Sequence, residues 1–293
     1  LSGEHFDHYR YVLDLMGSVL PKRYSKMENI HENLCWILSE DFQNSVLRKN
    51  CYYSPEVKCY KEGGYTLWRS KNNKVLIGID HADLGFGSLA AHGHADALSF
   101  QMFIEGTPVF VDPGTYNYHV PKMMRDDFRA TKNHNTICVD GQDQAEILGP
   151  FLWGNRYGNR DVSLMERDDE IEIQMKIKYG NKICRRIMEL SQTDKIRINI
   201  LDTLDCTSKI NKIEQVFMLG TKCSIKDLQI ECGQAVLKID TNAKTEIKKT
   251  IYSSAYNTIE DTKKMICYVN DQSREHVEIR TTIMVEENEN IKN

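Results

Sequence analysis

"ALSFQMFIEGTPVFVDPG", residues 97–114, alternates apolar and other residues at every second position and carries turn signals at its middle and its end. A period of two marks a strand with one buried face. Glu105-Gly106 offers a turn, and Asp112-Pro113-Gly114 stops the second strand, because proline has no amide hydrogen to give to a ladder. The stretch therefore predicts a β-hairpin. The same pattern recurs along the chain. "YTLWRSKNNKVLIGID" (65–80) turns at Asn72-Asn73, and "KICRRIMELSQTDKIRINILDTL" (182–204) turns around Thr193-Asp194. In "VSLMERDDEIEIQMKIKYG" (162–180), Ile171, Ile173, Met175 and Ile177 alternate with charged or polar neighbours. Repeated hairpins with no intervening helices predict a mainly β fold over residues 51–293, an antiparallel multi-stranded β-sandwich or large stacked sheets.

Residues 1–50 read differently. Tyr9, Val12, Leu13, Met16 and Val19 form one helical stripe that Pro21 closes. Ser25 and Glu28 make a capping-box pattern ahead of Ile30, Leu34, Ile37 and Leu38. Two amphipathic helices cannot make a core alone, so they must pack on something else.

The totals narrow the class. The chain has 293 residues, 41% hydrophobic and 27% charged, with a net charge of −4. That balance argues against general nucleic-acid binding, which needs a basic footprint. No apolar run approaches the ~20 residues of a membrane span. Local charge still governs a cleft. Lys122, Arg125, Arg129 and Lys132 outnumber Asp126 and Asp127 within residues 117–135, which reads either as a solvated loop or as a basic patch for an anionic substrate. Nine cysteines lie scattered without a CxxC pair, which argues against a cysteine zinc knuckle or a thioredoxin-like motif and suggests a reducing compartment.

Directly before the opening hairpin stands "AHGHAD", residues 91–96. In an extended strand His92, His94 and Asp96 would share one face, and a core face accepts such groups only if each finds a partner. The stretch reads as a turn end, a metal site or a catalytic floor. Asp112 at a strand end and His134 in "TKNHNTICVD" add a carboxylate and an imidazole of the kind zinc accepts. A metallo-β-lactamase motif would need histidine at position 97, which is Ala97, and a cupin barrel would leave the opening helices unexplained.

"HGHADALSFQMFIEGTPVFVDPGTYNYH" followed by "FRATKNHNTICVDGQDQAEILGPFLWG" resembles the catalytic β region of heparinase II/III-like polysaccharide lyases, in motif order and spacing. The two opening helices resemble the end of that family's N-terminal (α/α) toroid, and the fold implied is a supersandwich-like β domain. By this resemblance His92 is the active-site histidine. His94, Asp112 and His134 are the protein ligands of a structural metal, usually zinc, and Asp96 is left as a structural partner. Tyr116 and Tyr118 lie where some relatives place an auxiliary tyrosine. Arg129 and Trp153 are candidate saccharide contacts through charge and stacking. The implied reaction is β-elimination on a uronic-acid-containing polysaccharide, by a periplasmic or secreted protein whose catalytic tyrosine belongs to the toroid and matches no residue here. The alternatives are a carbohydrate-binding or assembly module that keeps the metal site, and a metal-dependent hydrolase.

Overall fold

The computed structural model describes residues 57–270 and 276–287. The helices expected within residues 1–50 lie outside the described residues. The first strands form a meander in which each pairs with the next: β1 (Val57–Tyr60), β2 (Tyr65–Arg69), β3 (Val75–Asp80), β4 (Phe100–Ile104) and β5 (Thr107–Phe110). The hairpin of residues 97–114 turns where its sequence says. Glu105 (φ 48°) and Gly106 (φ 79°) are both left-handed, the backbone of the two-residue turn whose twist suits a hairpin.

After β5 the chain makes one short helix, α1 (Lys122–Arg129), and a 3₁₀ turn (Thr131–Asn133) before β6 (Ile137–Val139). The helix occupies the segment read as a solvated loop or basic patch and corrects the expectation of no intervening helix. It is amphipathic: Arg125, Phe128 and Arg129 face inward, while Lys122 pairs with Asp126 one turn on.

A two-stranded ribbon of β7 (Glu146–Gly149) and β8 (Leu152–Gly154) leads to the long strands. These are β9 (Gly158–Arg167), β10 (Glu170–Tyr179), β11 (Lys182–Gln192) and β12 (Ile196–Cys206). The chain continues through β13 (Lys212–Met218), β14 (Cys223–Lys226), β15 (Gln229–Cys232), β16 (Ala235–Thr241), β17 (Lys244–Tyr252), β18 (Glu260–Asn270) and β19 (His276–Glu287). They form an eight-stranded sheet in the order β14-β15-β16-β19-β12-β11-β10-β9 and a four-stranded sheet in the order β17-β18-β13-β6. Every strand pairing among the described residues is antiparallel.

The core joins the sheets. Phe100 and Phe110 of the first sheet meet Phe217 of β13, with ring centroids 5.5–6.1 Å apart. Burying side chains of this size contributes ~1.5–3 kcal/mol each. On β11 and β12 the inward positions are apolar except for one pair, Arg186 and Asp202, which sit directly opposite each other at 0% exposure. The contact is bidentate: Nε donates to Oδ1 at 2.7 Å and Nη2 to Oδ2 at 2.6 Å. Gln215 of β13 donates a third hydrogen bond to Asp202.

Candidate functional site

The stretch expected to run as a strand does not. Between an isolated bridge at Ala91 and the start of β4, the backbone makes turns, with His92 at φ 60° and Leu98 at φ 66°. His92, His94 and Asp96 are therefore not aligned by strand alternation; His92 points to solvent while the other two are largely enclosed. Gly93 is required here, since a Cβ on it would lie 2.7 Å from the backbone nitrogen of Gly85.

Irregular backbone is stable inside a protein only if its polar groups find partners, each unmet group costing ~1–3 kcal/mol. Those partners come from distant parts of the chain. Thr131 Oγ1 donates to Ala95 O (2.7 Å), and Thr136 Oγ1 (2.5 Å) and Gln144 Nε2 (3.1 Å) donate to Ala97 O. Arg186 Nη1 donates to Leu98 O at 2.7 Å and to Asn135 O at 2.5 Å. Asn135 in turn donates to Phe100 O and Val111 O and accepts from Met218 N, tying β4 and β13 to the residue that follows β5.

The fixed loop brings His94 and Asp96 to Asp112, just beyond β5, and to His134, just beyond the 3₁₀ turn. One potential ligand atom from each of the four lies within 4.8 Å of the others. Asp112 Oδ1 accepts from the Gly114 amide at 2.9 Å, and His134 Nδ1 donates to Asp112 Oδ2 at 2.7 Å. His134 is fully buried, and its Nε2 has no partner. Burial pushes the His94 imidazole down to about 3, with His134 adding to the effect. Burial opposes charge on Asp112 as well, but His134, His94 and the Gly114 amide together outweigh it and hold the carboxyl below its usual range. For His134 burial is likewise outweighed by Asp112 together with Asp96 and Asp143, and its pKa is raised. Burial, reinforced by Asp80, lifts Asp96 to about 8.

Two imidazoles, two carboxylates and an orphaned ring nitrogen form a donor set that could hold a metal ion. Sequence reasoning placed His94, Asp112 and His134 in this set. It left Asp96 as a structural partner, whereas the structure brings Asp96 within reach of the same point.

The outer face is aromatic. His92 Nδ1 lies 3.3 Å from the Tyr118 hydroxyl, and its ring packs 5.1 Å from that of Phe151. Behind them sits Arg125, 3% exposed, its guanidinium 5.2 Å from the Tyr118 ring and 6.0 Å from that of Phe151. Its Nε and Nη1 have no hydrogen-bond partner, and burial with Arg129 nearby lowers its pKa to about 10.

The other sequence candidates sit deeper. Tyr116, left-handed at φ 61°, packs toward Phe128. Arg129 is fully buried, donating to Asp126 Oδ1 at 2.6 Å and Gly149 O at 3.1 Å and lying over the Trp153 ring at 4.8 Å. Trp153, 3% exposed, donates from Nε1 to Gly93 O at 2.9 Å. Both thus lie beneath the site and support the His92–His94 backbone. Arg125 entered the sequence reading only within the basic stretch, and Phe151 not as a candidate at all. Arg125 carried a signal, one helical turn before Arg129; Phe151 carried none.

The sequence profile of the heparinase II/III-like C-terminal family matches residues 54–291. The chain belongs to that family. Among solved structures, a heparinase III gene product aligns with a TM-score of 0.68 at 15% identity, covering 86% of this chain and 39% of that one. The heparan sulfate lyase HepC from Pedobacter heparinus aligns at 0.68 and 13% identity, covering 94% and 46%. A crystal structure of heparinase III gives 0.65 at 14%, covering 80% and 37%. The fold of the heparinase II/III-like C-terminal region is shared with all three. The chain spans less than half the length of these proteins. No curated protein matches it by sequence.

Proposed function

We propose that this chain forms the β-rich part of a lyase that cleaves a uronic-acid-containing polysaccharide by β-elimination. His92 faces the substrate, and His94, Asp112 and His134 hold a structural divalent metal, zinc by the chemistry of the donors, with Asp96 beside them. In this reading the sheets stack as a supersandwich over residues 51–293, and residues 1–50 close an (α/α) toroid. The observation that carries it is one loop presenting His92 outward and a His/Asp cluster inward, in a chain of the heparinase II/III-like family.

The elimination needs the C5 carboxylate's charge blunted, the C5 proton removed and the departing C4 oxygen protonated. Arg125 answers the first need: its guanidinium lies behind Tyr118 and Phe151 with two nitrogens lacking a hydrogen-bond partner, and its positive charge there stabilises charge that grows on a carboxylate in the transition state. His92 acts in proton transfer, with Tyr118 holding Nδ1 and leaving Nε2 for the sugar. The complementary acid or base comes from the toroid. His94, Asp112 and His134 would hold such an ion, which would serve to tie together the loop, the end of β5 and the segment before β6 rather than to activate a water.

The test is the full-length protein on a panel of uronate polymers. Products with an unsaturated uronate that absorbs in the near ultraviolet support the reading. Saturated ends would point to a hydrolase, and binding without cleavage to a carbohydrate-binding module.

A further inference from the structure

Far from the His/Asp cluster in sequence, the β14–β15 hairpin carries two cysteines at its open end. Cys223 and Cys232 are direct cross-strand partners. The hairpin turns through Asp227 (φ 48°) and Leu228 (φ 59°), two left-handed residues, so Lys226 and Gln229 close it as a hydrogen-bonded pair. Antiparallel pairs alternate in type, which makes Ile225–Ile230 non-hydrogen-bonded, Ser224–Glu231 hydrogen-bonded and Cys223–Cys232 non-hydrogen-bonded. Such pairs hold their Cα atoms at about 4.5 Å, within the range a disulfide spans. The sulfurs are already turned toward each other at 2.7 Å. Both cysteines lie on the inward face with Ile225 and Ile230, and Cys223 is only half-buried, which leaves an approach for an oxidant.

We propose that Cys223 and Cys232 form a disulfide in an oxidising compartment. One thiolate attacks a small-molecule disulfide, forming a mixed disulfide and releasing one thiol. The second thiolate attacks the protein sulfur of that intermediate and displaces the second thiol. The protein loses two protons and two electrons, and one oxidant disulfide becomes two thiols. Cys138, Cys184 and Cys206 instead face Gln142 O, the Tyr179 hydroxyl and the Ser208 hydroxyl. The inference is independent of the proposed lyase activity. A pair brought together by a turn leaves no spacing motif, so scattered cysteines do not by themselves point to a reducing compartment.

The experiment equilibrates the full chain in a series of glutathione buffers, quenches with acid, alkylates under denaturing conditions and reads peptides by mass spectrometry. The expected result is a linked Cys223–Cys232 peptide lighter by two hydrogens, forming at the oxidising end of the series and lost on reduction. A Cys223→Ser variant should then leave Cys232 fully alkylated. Full alkylation of both cysteines in the unaltered protein at the most oxidising poise would overturn the proposal, as would pairing of either with another cysteine.

Discussion

Arg186 and Asp202 form a fully buried, bidentate ion pair, and the same guanidinium holds the carbonyl of Leu98 in the loop that carries His92 and His94. One side chain of the eight-stranded sheet thus supports both the core and the site.

Removing that guanidinium leaves Asp202 buried with Gln215 as its remaining partner, and orphans Leu98 O and Asn135 O. Breaking a buried pair this way costs ~3–5 kcal/mol. Arg186→Met should lower the melting temperature by roughly 2–4 °C per kcal/mol for a unit of this size. Asp202→Asn, which keeps the shape and removes the charge, should also destabilise. Thermal denaturation of Arg186→Met within 1 °C of the parent protein would falsify the supporting role.

Purified protein should contain about one divalent ion per chain by elemental analysis, and chelation should lower its melting temperature. At a metal concentration a thousandfold above the dissociation constant, the stabilisation lost is ~4 kcal/mol. His134→Ala and Asp112→Ala should abolish loading. Asp96→Asn should weaken it if that carboxylate contributes a ligand atom, and loading at parental affinity would return Asp96 to a purely structural place.

Arg125 is buried against Tyr118 and Phe151 with two nitrogens unbonded, so its replacement is to be read on the melting temperature as well as on substrate. Arg125→Gln in the full-length protein should raise KM or lower kcat/KM by ~10–100-fold, the worth of ~1.5–3 kcal/mol for a hydrogen bond to a charged group. Arg125→Lys should recover only part of this, because lysine lacks the flat guanidinium that stacks on Tyr118 and Phe151. Unchanged kinetics on every uronate polymer would remove Arg125 from the recognition of substrate.

His92 is exposed and left-handed, so His92→Asn suits the backbone and should leave the stability within ~0.5 kcal/mol of the parent's. Elimination should fall ~10²–10⁴-fold, the usual contribution of a positioned proton-transfer group. A variant that cleaves at parental rate would show that the chemistry lies elsewhere.

The hairpins were legible because a half-buried strand imposes a period of two, and the turns at Asn72-Asn73, Glu105-Gly106 and Thr193-Asp194 carried their own chemistry. For residues 92–99 the sequence left a turn and a strand both open. They alternate as a strand does, and the loop departs from one because Thr131, Thr136, Gln144 and Arg186, all distant in sequence, satisfy its carbonyls. Helix α1 was missed because eight residues, five of them charged, make too short a run to show a helical period. The Arg186–Asp202 pair did leave a trace: each occupies an inward position between apolar residues on neighbouring strands of one predicted hairpin. A charge at such a position demands an opposite charge across the ladder.

The dispersed origin of those carbonyl partners limits how this region can be transplanted. Moving residues 91–114 onto another β scaffold would carry His92, His94, Asp96 and Asp112 but leave Ala95, Ala97 and Leu98 without their donors. The graft would be free to relax into the plain strand its alternation favours, turning His92 and His94 to one face and losing the split between an outward and an inward imidazole. A working chimera has to be cut on the far side of β12, so that helix, turn, ribbon and long hairpin travel together.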